Sequence, residues 1–270
     1  MNQHNLMVNG IELACHTAGE GLPLVLIHGF PFDHTMWAPQ IETLSSRCQV
    51  IAPDLRGYGA SKMGTTDSSD GVDMATYAQD VAAWLDEFEV REPVILCGFS
   101  MGGYILWQFA KRHPERIRAL ILCDTRTVAD SPEASAGRRK MAESIEDTGV
   151  EPVVEGLVPK LLATDTLANR PEIVQQVSEM IRQASPAAIA SAQRGMAARE
   201  DVSAELDSFD WPALVVVGEE DAISPAEEMR GIAKSLPQGQ FCEIAGAGHM
   251  TALENPVAVN DAMQRFIELV

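Results

Sequence analysis

Short apolar runs alternate with longer amphipathic stretches along most of the chain. Leu22–Ile27, Cys48–Ala52, Val94–Cys97, Ala119–Cys123 and Ala213–Val217 are near-continuous apolar runs bounded by Gly, Pro or charged residues. A strand that is apolar at every position is buried on both faces, as in a parallel sheet covered by helices on each side. Between these runs, apolar positions recur at helical spacing over 35–46, 73–90, 101–113, 225–236 and 256–269. This alternation predicts right-handed crossovers and an α/β doubly wound sheet. Leu6–Val8 and Ile11–His16 flank Asn9-Gly10, a two-residue turn signal, so an antiparallel hairpin is expected at one edge.

The rhythm breaks once. From Thr127 to Asp207 no strand-like run occurs, only helix-like pieces separated by Pro132, Gly149, Pro152, Pro171 and Pro186. Four or so helices are too many for an ordinary crossover. They are expected to cap the carboxyl ends of the strands, where open α/β sheets bind ligands. The domain reading is therefore a core formed by 1–126 and 208–270, with a helical cap at 127–207 inserted into it.

A chain of 270 residues with 46% hydrophobic and 22% charged residues fits one globular α/β domain with a large core. Its 39 acidic against 20 basic residues leave a net charge of −19, which disfavours nucleic acid and anionic membranes as partners. No apolar run approaches the roughly 20 residues that span a bilayer. Met1–Gly10 has neither a basic start nor an apolar stretch, so a cytoplasmic protein is expected. The five cysteines, an odd number without a C-x-x-C pair, read as core thiols and not as a disulfide framework or zinc site. With no H-E-x-x-H, Walker A or G-x-G-x-x-G pattern, no metal or cofactor is implied.

The candidate chemistry centres on Gly98-Phe99-Ser100-Met101-Gly102, a G-x-S-x-G pattern. A bare pattern of this kind arises by chance, but here Val94–Cys97 precedes it as a strand and Met101–His113 follows as a helix. That context is the strand-to-helix turn of a nucleophile elbow, which lifts a serine Oγ above the sheet. A hydroxyl needs a neighbouring base to attack at neutral pH. His249, in Gly246-Ala247-Gly248-His249-Met250 after the strand-like Phe241–Ile244, is the candidate. The base in turn needs a carboxylate to orient it. Asp221 follows Ala213–Val217 and is favoured, while Asp124, just past Ala119–Cys123, is the competitor. An oxyanion hole requires two backbone N–H groups. Met101, directly after the nucleophile, and Phe30, in His28-Gly29-Phe30-Pro31 after Leu22–Ile27, are the expected donors; Pro31 has no N–H to give. His28 is expected to be structural.

His28-Gly29-Phe30, Asp54-Leu55-Arg56-Gly57-Tyr58-Gly59-Ala60-Ser61, the Ser100 turn, Gly218–Asp221 and Gly248-His249 together resemble the α/β-hydrolase superfamily over nearly the whole chain. Ser100, Asp221 and His249 also follow that fold's chain order. Within the superfamily the chain is similar to the small cofactor-free branch of esterases, 3-oxoadipate enol-lactonases and non-haem peroxidases; Met36-Trp37-Ala38-Pro39-Gln40 resembles the lactonases locally. The resemblance implies a mostly parallel sheet of about eight strands with helices on both faces. It also implies a serine hydrolase acting on a small-molecule ester or lactone through an acyl-enzyme on Ser100. Peracid formation from peroxide, thioester or carbon–carbon bond hydrolysis, and a binding protein built on the same scaffold are the alternatives. A Ser nucleophile disfavours the dehalogenases and epoxide hydrolases of the superfamily, which use Asp. Trp37, Phe99 and Arg126 are the candidates for the substrate pocket; aromatics at such positions are more often packing, and for Arg126 a salt bridge within the cap is favoured over a substrate carboxylate. Oligomeric state and natural substrate leave no signature in the sequence.

Overall fold

The computed structural model describes residues 1–65, 67 and 71–270. Among them eight strands form one sheet: β1 (Asn2–Val8), β2 (Ile11–Ala18), β3 (Leu22–Ile27), β4 (Cys48–Pro53), β5 (Val94–Phe99), β6 (Ile117–Cys123), β7 (Ala213–Gly218) and β8 (Gly239–Ile244). Their order is β1-β2-β4-β3-β5-β6-β7-β8. β1 and β2 pair antiparallel around Asn9 and Gly10, both at positive φ, as a tight primed hairpin turn requires. β2 also runs antiparallel to β4, and every later pairing is parallel. The apolar runs are buried because helices cover both faces.

β3 lies between β4 and β5, so the chain leaves it first toward one edge and then toward the other. Loops that depart in opposite directions leave a crevice beyond the carboxyl ends of the strands. The loop after β3 and the turn after β5 face that crevice.

Among the described residues the first helices of the core are α1 (Ala38–Leu44), α2 (Met74–Glu87) and α3 (Met101–Arg112). The helical pattern over 35–46 resolves into a 3-10 turn, His34–Trp37, followed by α1. Pro39 is the reason: it has no N–H to bond back, so it starts a helix and cannot continue one. Asp33 caps the turn by accepting the Thr35 N–H at 2.8 Å, and Asp73 caps α2 by accepting that of Thr76 at 2.7 Å.

Five helices occupy the stretch between β6 and β7: α4 (Pro132–Thr148), α5 (Glu151–Leu161), α6 (Thr164–Asn169), α7 (Pro171–Gln183) and α8 (Pro186–Ala197). Four of them carry Pro in the first turn, where its missing N–H costs nothing. α8 rests on the segment after β4: Tyr58 donates to the Ala188 carbonyl at 3.3 Å and the Val72 N–H to Ser191 Oγ at 3.1 Å. A Cβ on Gly195 would collide with the Val72 carbonyl, so main chain meets main chain there. The core closes with α9 (Ala226–Ser235), α10 (Thr251–Glu254) and α11 (Pro256–Ile267). No helix among the described residues is long and apolar enough to cross a membrane.

One buried ion network ties the loop after β4 to α2. Arg56 grips both carboxylate oxygens of Asp80 and reaches Asp67 at 3.4 Å, while Asn9 donates to Asp80 at 2.8 Å. Removing one partner of such a pair strands a buried charge. Arg56→Met should therefore destabilise the protein by about 3–5 kcal/mol in urea unfolding. Arg56→Met combined with Asp80→Leu should recover part of that loss, Asp67 remaining without its guanidinium partner. An additive double variant would show that the pair is not coupled.

Candidate active site

β5 runs straight into Ser100, whose backbone stands at φ 50° and ψ −110°. A non-glycine residue there is strained and persists only if its surroundings hold it. The Ser100 N–H donates to the Cys123 carbonyl at 2.9 Å, and its own carbonyl accepts from the Thr125 hydroxyl at 2.7 Å and the Gly103 N–H at 2.9 Å. The two motif glycines are steric requirements. A Cβ on Gly98 would lie 2.6 Å from the Gly102 carbonyl carbon, and one on Gly102 would collide with the Ile27 carbonyl oxygen. Without side chains there, β3, β5 and the start of α3 meet backbone to backbone.

Ser100 Oγ lies 2.9 Å from His249 Nε2, and His249 Nδ1 lies 2.8 Å from Asp221 Oδ2. A ring nitrogen against a carboxylate oxygen carries the proton, so Nδ1 donates to Asp221 and Nε2 is left to accept from the Ser100 hydroxyl. His249 is 2% exposed, and the Phe99 ring packs against it with centroids 5.0 Å apart. The loops that carry acid and base are in main-chain contact, since any side chain on Gly218 would overlap the Gly248 carbonyl.

Asp221 is held by more than the histidine. Its Oδ1 accepts the N–H groups of Ile223 (2.8 Å) and Ser224 (3.0 Å), and its Oδ2 accepts the Ser224 hydroxyl at 2.6 Å. Burial pushes this carboxyl up. The charge and hydrogen bond of His249, with those from Ser224, outweigh burial and hold it below the usual carboxylate range. Ser224 Oγ also lies 3.3 Å from His249 Nδ1.

Asp124 occupies the same neighbourhood with different partners. It has φ 47°, is fully buried, and offers a carboxylate oxygen within 4.8 Å of ligand atoms of Asp221 and His249. Its partners are the Gly218 N–H at 3.0 Å and the Thr251 hydroxyl. Burial first, and then the Asp221 charge, push its carboxyl well above the usual range. Of the two candidate acids, Asp221 is the one hydrogen-bonded to the imidazole.

Met101 opens α3, and the N–H groups of a helix's first turn have no partner within the helix. Phe30 lies in the loop after β3, which presses on the Phe99–Ser100 step: a Cβ on Gly29 would lie 2.5 Å from the Phe99 ring and 2.8 Å from its carbonyl oxygen. His28 fixes this loop, with Nδ1 bonded to the Gly29 carbonyl at 2.9 Å and Nε2 accepting the Leu55 N–H at 2.9 Å. Burial pushes its pKa down, which suits a neutral ring with one donor and one acceptor.

The three expected pocket residues lie elsewhere in function. Trp37 and Phe99 are fully buried and meet edge to face at 6.3 Å; Phe99 packs on the histidine and Trp37 on Phe99. Arg126 is bound through two nitrogens to Glu228 of α9, at 2.7–3.1 Å, and its carbonyl accepts the Trp107 indole N–H at 3.0 Å. That guanidinium is already neutralised by a carboxylate of the core.

Sequence reasoning passes over Ser224, Thr251 and Glu254. Only Ser224 carries a signal, because an Asp at the start of a turn accepts the N–H groups two and three residues on, here Ile223 and Ser224. Nor does the sequence bring together His16, His34 and Asp54, whose nitrogen and oxygen atoms lie within 4.8 Å of one another beside a cavity of about 260 Å³. The two imidazoles are stacked, 3.4 Å apart and 14° from parallel. Parallel rings cannot both aim in-plane lone pairs at one ion, so this arrangement does not fit a metal.

A family model described as the alpha/beta hydrolase fold matches residues 23–256. The chain is 28% identical over 241 residues to 3-oxoadipate enol-lactonase 2 of Acinetobacter baylyi, covering 89% of this chain and 86% of that protein. It is also 28% identical to a pimeloyl-(acyl-carrier protein) methyl ester esterase of Xanthomonas oryzae pv. oryzae, over 93% of this chain and 97% of that one. A thermophilic esterase from Thermogutta terrifontis, solved with malate bound, superposes with a TM-score of 0.95 at 38% identity, covering 100% of this chain and 99% of that one.

The two buried acids make opposite pH predictions. Asp221 is depressed in the folded protein, so it stabilises above its unfolded pKa of about 3.9 and loses that contribution as pH falls. Asp124 is raised, so it stabilises below that value and loses the contribution as pH rises toward its folded pKa. In thermal melts from acid to neutral pH, Asp221→Asn should fall further below the wild type as pH rises. Asp124→Asn should gain on the wild type over the same range. Parallel curves for the two variants would contradict the assignment.

Proposed function

The chain belongs to the alpha/beta hydrolase fold family, and from that premise we propose that it hydrolyses small carboxylic esters or lactones through an acyl-enzyme on Ser100. The observation that carries this reading is the unbroken line from Ser100 Oγ to His249 Nε2 and from His249 Nδ1 to Asp221. The esterase and lactonase relatives support the substrate class.

In this mechanism Ser100 Oγ attacks the acyl carbon as His249 Nε2 takes its proton. Asp221 stays ionised and stabilises the imidazolium. The N–H groups of Phe30 and Met101 receive the charge that develops on the carbonyl oxygen, where preorganised donors cost no rearrangement during reaction. His249 then protonates the leaving alkoxide and the ester C–O bond breaks. Water, deprotonated by the same imidazole, attacks the acyl-enzyme and releases the acid with Ser100 regenerated. Segment 127–207 acts as the cap over this centre and supplies the walls that select the acyl and alcohol groups.

A fluorophosphonate should label Ser100, and Ser100→Ala should abolish both labelling and turnover of p-nitrophenyl esters. A series of acyl lengths should show a clear optimum, set by the cap. Labelling at another residue, or undiminished turnover by Ser100→Ala, would sink the proposal.

A further inference from the structure

We propose that Glu254 is a positioning residue through which the helical segment between β6 and β7 sets the placement of His249. The inference rests on the reading of His249 as the base of Ser100. Glu254 ends α10 and is 3% exposed. Its Oε1 accepts the N–H of Gly248, the residue before His249, at 2.8 Å. Its Oε2 accepts the N–H of Ala163, between α5 and α6, at 2.8 Å. On the other side of the histidine, the Met250 N–H donates to the Leu161 carbonyl at 3.1 Å. The Thr164 N–H donates at 3.0 Å to Glu220, the residue before Asp221.

The α5–α6 junction, residues 161–164, is thus bonded to the chain on both sides of the base and to the residue next to the acid. Contact at the junction is main chain on main chain, since a Cβ on Gly248 would lie 2.6 Å from the Ala163 nitrogen and 2.8 Å from the Leu162 carbonyl carbon. The Glu254 carbonyl also accepts from the guanidinium of Arg170, just ahead of α7. A shift of the junction therefore carries the His249 loop with it. A carboxylate is the side chain that this bridge requires, because each of its two oxygens meets an N–H. A glutamine fills the same volume but presents one oxygen and one NH2, so one backbone donor would face another donor.

The test compares Glu254→Gln with wild type in p-nitrophenyl ester hydrolysis, reading kcat, KM and the pH dependence of kcat per folded molecule. Misplacing a general base by a fraction of an ångström acts on the chemical step more than on binding. Glu254→Gln should lower kcat by about ten- to a hundredfold, leave KM within about twofold, and shift the limb of the pH profile that follows His249. Thr164→Pro is the second variant, for the case in which Glu254→Gln does not fold. It removes the N–H that reaches Glu220 at the first position of α6, where proline is tolerated, and Ala163 at φ −61°, ψ 155° already suits a following proline. It should lower kcat in the same direction with its melting temperature little changed. Wild-type kcat and pH profile in folded Glu254→Gln, or in Thr164→Pro where only that variant folds, would overturn the proposal, as would losses that only track the folded fraction by circular dichroism. Absence of fluorophosphonate labelling at Ser100 in the wild type would instead overturn the reading of the triad, and this proposal with it.

Discussion

Ser100 holds a left-handed backbone because main chains touch on three sides of it. Gly98 lets β5 press on the first turn of α3, Gly102 lets that turn press on the end of β3, and Gly29 lets the loop after β3 press on Phe99. The Cys123 carbonyl and the Thr125 hydroxyl close the remaining side. The local strain is thereby spread over the most buried part of the sheet, where rearrangement would cost core packing. Three consequences follow from this one constraint. The Ser100 side chain stands clear of the sheet, the N-terminus of α3 sits beside it, and the loop bearing Phe30 is brought within reach.

A second set of main-chain contacts does the same for the base. The Asp221 loop lies on the His249 loop at Gly218, and the His249 loop lies on the α5–α6 junction at Gly248. Two carboxyls in so small a volume could not both be charged without strong repulsion. Their partners separate them. An imidazole, a hydroxyl and two N–H groups hold the Asp221 carboxyl below the usual range, while burial and the Asp221 charge push the Asp124 carboxyl, with one N–H and one hydroxyl, above it. The electrostatics thus point the proton on Nδ1 of His249 toward Asp221 and leave Nε2 facing Ser100.

The central strands are legible in the sequence almost residue by residue, because a strand buried on both faces has little choice but to be apolar throughout; the edge strands β1 and β8, partly exposed, begin at Asn2 and Gly239, ahead of the apolar positions that mark them. Leu22–Ile27 has the same bounds in sequence and structure, and β6 differs only by starting at Ile117, where Arg118 hides the pattern. Ser100 and His249 are legible because glycines mark the sharp turns around them. Trp37, Phe99 and Arg126 are not. An aromatic beside an active site reads the same whether it lines the pocket or props the base from below, and nothing local to Arg126 reveals Glu228, 102 residues away. Glu254 is hidden for the same reason: its partners are backbone N–H groups, which every sequence has.

In the proposed reaction Ser100 carries the acyl group between its two halves. Protein quenched in acid during turnover of p-nitrophenyl butyrate and digested for mass spectrometry reads this directly. A butyryl group is expected on the peptide containing Ser100, lost when the ester is removed and the protein is left at neutral pH before the quench. Steady ester turnover with no acylated peptide at any time point from the first turnover onward, or with the acyl group on a different side chain, would contradict it.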